Sequence, residues 1–136
     1  MISQTLTTSF KEQLFLAVHD FSTDTFKIAL YVAAADLGPT TTVYTATGEV
    51  TGAGYVAGGI ALTGATVMTL STTAYVDFAT AVFNAAVTAR GALIYNASKG
   101  NKAVAVLDFG ADKTSTTAFT VVMPANTSTS ALIRLP

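Results

Sequence analysis

The chain has no cysteine, a single histidine at His19, and only 11% charged residues. The missing cysteine excludes disulfides, thiolate metal sites and cysteine nucleophiles, and leaves the redox compartment open. One histidine rules out a two-histidine metal centre within the chain and gives any histidine-based triad a single candidate. A charged fraction well below the usual ~25%, with a formal net charge of −1, provides no basic patch to neutralise phosphates, so nucleic acid is not an expected partner. No apolar run reaches the roughly 18 residues of a membrane-crossing helix, and no membrane partner is expected. Met1-Ile2-Ser3-Gln4 lacks the basic start and apolar stretch of a secretory signal, so synthesis and retention in a cytoplasm are expected.

What is present is a 136-residue chain that is 51% hydrophobic and rich in Thr and Ala. That length suits one domain, residues 1–136, with a core that needs no staples. An uncharged polar surface costs little to desolvate, as in subunits of permanent assemblies, whose interfaces are depleted in charge.

The clearest local pattern is a β-hairpin spanning Ala86 to Lys113, two long apolar runs around Ala97-Ser98-Lys99-Gly100-Asn101. Closing it there predicts a straight ladder. Asn96 faces Lys102, Ile94 faces Val104, Ala92 faces Val106, and Arg90 faces Asp108 as an opposite-charge pair. The other face sets Tyr95 against Ala103, Leu93 against Ala105, Gly91 against Leu107 and Ala89 against Phe109. A one-residue slip would exchange the faces and separate the charges. Both faces are apolar and both need cover: the one with Gly91/Leu107 and Ala89/Phe109 is expected in the core, and the one with Ile94/Val104 and Ala92/Val106 against the helix or a neighbouring subunit.

Toward the N-terminus, Thr8 to Phe21 reads as the one convincing helix, with Ser9 and Glu12 forming a capping box and Phe10, Leu14, Ala17, Val18 and Phe21 on one stripe; a strand over Leu14 to Val18 is the alternative. Phe15 and Leu16 flank that stripe and are candidate interface residues. At the helix end, His19 is expected to bond the last carbonyls, a role that needs no catalysis. Phe26 to Ala33 alternates as a strand with Phe26, Ile28, Leu30 and Val32 on one face, ended by Gly38-Pro39. Thr40 to Gly59 is a long Thr- and Gly-rich excursion; loops of that length commonly contact a partner, which makes Tyr44 and Tyr55 further interface candidates. Short strands follow at Ile60–Thr63, Thr66–Leu70 and Ala74–Phe78, then the hairpin, then Ala118–Met123 and Ala131–Leu135. About eight strands with Gly, Pro and Thr punctuation predict a mainly β, antiparallel sandwich or barrel with one short N-terminal helix.

Catalytic signals are weak. The carboxylates include Glu12, Glu49, Asp20, Asp24, Asp36, Asp77, Asp108 and Asp112, and no spacing among them selects an acid–base pair. Gly52 to Gly59 has the composition of a phosphate loop without its strand, helix or GK[ST], and reads as a flexible connector. Asn96-Ala97-Ser98 and Asn126-Thr127-Ser128 match the glycosylation pattern without a secretory signal. Five tyrosines offer a sugar-binding groove as one reading and core or interface packing as the other.

Taken together, RGALIYNASKGNKAVAVLDFGADKTST, ISQTLTTSFKEQLFLAVHDFSTDTFKIALY, GYVAGG, TAYVDF and the closing ALIRLP resemble a family of small tailed-phage structural proteins, the capsid cement or decoration proteins. The resemblance covers most of the chain. It implies a jelly-roll-like β-sandwich, a homodimer on the outside of an icosahedral head, the major capsid protein as partner, and no enzymatic activity or cofactor. Synthesis would then be in the host cytoplasm and the final location the virion. A receptor- or glycan-binding module of a tail fibre is the alternative, resting on exposed tyrosines and polar loops.

Overall fold

The computed structural model describes residues 1–136. In chain order the elements are β1 (Thr5–Leu6), α1 (Thr8–Phe15), β2 (Phe26–Tyr31), β3 (Ile60–Ala61), β4 (Thr66–Leu70), β5 (Thr73–Asp77), β6 (Ala81–Phe83), β7 (Thr88–Asn96), β8 (Lys102–Thr114), β9 (Phe119–Val121) and β10 (Ile133–Leu135). The molecule is mainly β with antiparallel pairing throughout its named strands. The strands make a five-stranded sheet in the order β1-β8-β7-β2-β3, a three-stranded sheet β10-β5-β4 and a two-stranded sheet β6-β9. Ten strands form where about eight are expected. The two extra ones, β1 and β6, are two and three residues long and too short to leave an alternating signature.

One large core lies between the five-stranded sheet and the two smaller sheets. Phe26, Ile28 and Leu30 of β2, Ala92 and Ile94 of β7 and Val104 and Ala105 of β8 meet Val76, Phe83, Phe119, Val121 and Ile133, with Phe10 of α1 among them. A second core covers the opposite face of the five-stranded sheet, where Ala29, Tyr31, Leu93, Tyr95, Ala103 and Val106 pack under Ile2, Ala35 and Leu37. Both hairpin faces are therefore covered by the chain itself. The Ala92 and Ile94 face meets Phe10 of the helix, one of the two covers expected for it, but does so inside the large core, while the Leu93 and Tyr95 face is covered by Ile2, Ala35 and Leu37.

The hairpin exists, and its ladder is not straight. Asn96 faces Lys102 and Tyr95 faces Ala103 as expected, but Ile94 pairs with Ala105, Leu93 with Val106, Ala92 with Leu107 and Gly91 with Asp108. An extra residue at Val104 makes a β-bulge, which places Val104 and Ala105 on the same core. A second irregularity takes Ala89 to Lys113, with Gly110 at φ 80° in the longer strand. Arg90 and Asp108 nevertheless form an ion pair, Nε to Oδ1 at 3.0 Å. A long guanidinium side chain reaches a carboxylate one rung away, so the charge pair was no test of register. Bonds from the Gly110 amide and then Arg90 hold the Asp108 carboxyl below its usual range. Arg90→Ala and Asp108→Ala are expected to be non-additive in urea unfolding, and simple addition would show that the contact contributes nothing.

The helix is shorter than its apolar stripe suggests. Thr7, and not Ser9, caps it: Thr7 is extended at φ −69° and ψ 150°, and its hydroxyl accepts the Phe10 amide at 3.2 Å. Ala17 turns left-handed at φ 55°, which ends the helix before Val18 and Phe21. Phe21 still reaches the same cluster through a turn, stacking on Phe26 at 4.4 Å and meeting Phe10 edge-on at 6.1 Å. Of the expected stripe, Phe10, Leu14 and Phe21 pack in this cluster, while Ala17 is exposed and Val18 lies outside it. In the next strand the predicted face holds at Phe26, Ile28 and Leu30, while Val32 lies beyond the strand and is exposed.

Candidate functional site

The excursion from Thr40 to Gly59 is tied down by one carboxylate. Glu49 accepts the Tyr44 hydroxyl through Oε1 at 2.6 Å and the Tyr55 hydroxyl through Oε2 at 2.6 Å, and Oε2 also takes the Gly58 amide at 2.9 Å. Tyr31 donates to the Thr45 carbonyl and Tyr95 to the Gly58 carbonyl, both at 2.6 Å, while Tyr44 stacks on Tyr95 at 5.0 Å. Burial pushes the Tyr44 hydroxyl up to about 12, with the neighbouring Glu49 adding to it. Burial, with Glu49, also raises Tyr31 and Tyr55. These phenols stay protonated and act as donors.

The excursion is packed down along its glycines, contrary to a flexible connector. A Cβ on Gly52 would stand 2.1 Å from the Ala86 carbonyl oxygen, and one on Gly54 2.2 Å from that of Asn84. Glycine is needed there because backbone lies against backbone.

His19 also departs from expectation. Its Nε2 lies 2.7 Å from Gln13 Oε1 and its Nδ1 3.0 Å from Asn96 Nδ2, so it bonds side chains and not the helix carbonyls. Gln13 Oε1 can only accept and Asn96 Nδ2 can only donate, which fixes a neutral ring with the proton on Nε2. Asn96 is fully buried, gives its second amide proton to Asp24 Oδ2 at 2.8 Å and accepts the Ser98 amide, which removes it from reach as a glycosylation acceptor. Burial acts to raise the Asp24 carboxyl, but bonds from Asn96, the Asp20 amide and Lys99 outweigh it and hold the group below its usual range.

Burial lowers the His19 pKa from 6.5, opposed by Asp24 and assisted by Lys102 and Lys99. The folded chain then resists a proton that the unfolded chain accepts near 6.5, so the His19 contribution is full above that pH and declines as pH falls toward the lowered value. Between about pH 7 and pH 5 the urea midpoint of the native chain should fall more steeply than that of His19→Gln. Parallel curves would contradict the assignment; Asp24 and Asp77 are common to both proteins and cancel.

Two further carboxylates, Asp77 and Asp20, are committed to structure. Asp77 is buried and accepts the Phe78 and Leu132 amides, and burial raises its pKa. Asp20 caps its own turn through Ser22. No three of the chain's His, Asp and Glu side chains gather where they could hold a metal ion, and no helix is long and apolar enough to cross a membrane.

The feature that stands apart is an apolar surface. All of β4, Thr66-Val67-Met68-Thr69-Leu70, is exposed. Beside it Leu14, Phe21, Val67, Val76, Ile133 and Leu135 line an open trough of about 120 Å³ with almost wholly apolar walls. Phe15 and Leu16, which follow Leu14 at the end of α1, are 93% and 65% exposed. Exposed apolar surface of this extent marks sites of interaction.

Of the four interface candidates, Phe15 and Leu16 face solvent, whereas Tyr44 and Tyr55 point inward to Glu49. Val67, Met68, Leu70 and Leu135 were missed. Their alternation identifies strands, and only the strand order makes β4 an edge. One signal was available: residues 50–76 contain no Asp, Glu, Lys or Arg. No family model matches the chain, and no curated protein or solved structure is significantly similar to it.

Proposed function

We propose that the chain is a non-enzymatic capsid cement protein, a jelly-roll-like β-sandwich that binds the outside of a phage head as a homodimer and bridges major capsid subunits. The observation that carries this reading is the exposed, uncharged apolar surface of β4, the adjoining trough, Phe15 and Leu16. Burying the trough, Phe15 and Leu16 against a flat shell returns about 25 cal/mol per Å² of apolar area, with few charges to desolvate, and leaves the hydrogen-bonding edge of β4 free. The sequence resemblance supports the same class, and the two-layered arrangement of a large sheet over smaller ones suits a sandwich.

The mechanism is linkage. A protein that binds only the assembled shell stabilises it, by about 2.7 kcal/mol per site at a free concentration 100 times Kd. The chain is made in the host cytoplasm and ends on the virion exterior. The tail-fibre alternative has less to stand on, because Tyr31, Tyr75 and Tyr95 are buried and Tyr44 and Tyr55 spend their hydroxyls on Glu49. The test is to heat purified heads with and without the chain. DNA release should move to higher temperature when it is bound, and an unchanged release temperature would contradict the proposal.

A further inference from the structure

We infer that β4 is a self-pairing edge: it joins β4 of a second copy antiparallel about a two-fold axis at Met68, fusing the two three-stranded sheets into one six-stranded sheet. This specifies the contact surface of the dimer proposed above and rests on that reading for the dimer's role, while its geometry is argued from the strand alone.

The hydrogen-bond pattern of β4 comes first. Leu70 and Thr73 flank a two-residue turn, Ser71-Thr72, so they exchange both backbone bonds. By alternation Met68/Tyr75 and Thr66/Asp77 are bonded pairs as well, and Val67 and Thr69 turn their N–H and C=O groups away from β5. Neither residue has another backbone partner. Two outward residues separated by one inward residue form a set that maps onto itself when rotated about the middle one. A two-fold at Met68 places Val67 opposite Thr69 of the second copy and Thr69 opposite its Val67, and each pair closes two bonds. Met68 then faces Met68 as a non-bonded pair, the closer of the two kinds.

The absence of charge permits the same occupant. A two-fold axis sets each side chain near its own copy, where a charge would meet its like. β4 carries none, and neither does any residue from 50 to 76. Other free edges are defended or brief. β10 has Arg134 and is followed by Pro136, the outer half of β8 carries Asp108, Asp112 and Lys113, β1 and β3 are two residues long, and β6 and β9 three. Proteins that stay monomeric blunt an edge with charge, proline or shortness; β4 has none of these and is exposed at all five positions. Val67 lines the apolar trough, so pairing here would bring the two troughs together across the new sheet.

The test uses the purified chain in the absence of heads, which separates it from shell binding. Because the chain lacks cysteine, Met68→Cys introduces a single thiol that should meet its own copy at disulfide distance. Mild oxidation should convert most of this variant to a covalent dimer, whereas Val122→Cys, on another part of the surface and more exposed than Met68, should remain monomeric. In parallel, sedimentation should find the native chain at twice the monomer mass, Met68→Lys and Met68→Glu each at the monomer mass, and their mixture dimeric again. A monomeric native chain, a dimer that survives Met68→Lys, or Met68→Cys cross-linking no faster than the control would each overturn the proposal. If a charged variant failed to fold by circular dichroism, the cysteine pair would decide. Heads stabilised by a chain whose Met68→Cys does not cross-link would leave the cement reading intact and remove the β4 contact alone.

Discussion

Phe10→Ala should destabilise the chain by about 3–5 kcal/mol, the range for removing a buried aromatic ring from a core that relaxes only in part. Phe10 is the one fully buried residue of α1. Its ring lies 4.9 Å from the His19 ring and 6.1 Å from Phe21, and α1 has no comparable anchor, since Leu14 is only partly covered. Loss of the ring would free the helix from the sheet and expose the turn that carries His19. Against a typical total of about 5–15 kcal/mol, that is a large fraction of the stability. Phe15→Ala, five positions along the same helix, is the control. Its ring is almost wholly exposed, so its effect on folding should stay within about 0.5 kcal/mol while binding to heads weakens. Urea denaturation of the two variants measures the contrast; equal effects would show that α1 is not held through Phe10.

Gly59→Ala should cost about 3 kcal/mol or more, from two additive sources. Gly59 sits at φ +76°, where a side chain is strained by about 1–3 kcal/mol. A Cβ would also stand 1.8 Å from the Ile28 carbonyl oxygen and 2.7 Å from its carbon, so the excursion would have to lift away from β2. Forced repacking of that sort adds about 1–3 kcal/mol. The displacement would reach Gly58, whose amide bonds Glu49 and whose carbonyl accepts Tyr95, and so would loosen the tyrosine bracket. Gly110→Ala separates the two sources. It has a similar φ of +80° with nothing within 4 Å of the new Cβ, so it should show the conformational cost alone. Equal losses at positions 59 and 110 would mean that the close approach to Ile28 is not a constraint.

The strand inventory was legible because segments of four residues or more rich in strand formers stand out between Gly, Pro and Ser-Thr clusters, as in Phe26–Tyr31 and Thr66–Leu70. Register was less so. A bulge at Val104 alters which side chains oppose one another without altering composition, and Arg90 is long enough to find Asp108 on either register. The helix end was obscured because Phe21 belongs to the cluster its helical position would have reached. Tyr44 and Tyr55 illustrate a further limit. Sequence places them in a loop, but whether they face outward is decided by Glu49, which draws both hydroxyls inward from several residues away. For the apolar surface, the absence of charge from 50 to 76 was readable, whereas the edge position of β4 follows from sheet order, a property of the whole fold.

The central claim is that this chain coats a phage head. Cryo-electron microscopy of virions that carry it tests that claim most directly. Repeated density for the chain is expected over the outer surface of the shell, across the boundaries between major capsid subunits, with Phe15, Leu16 and the trough buried against it. Density confined to the tail would contradict it.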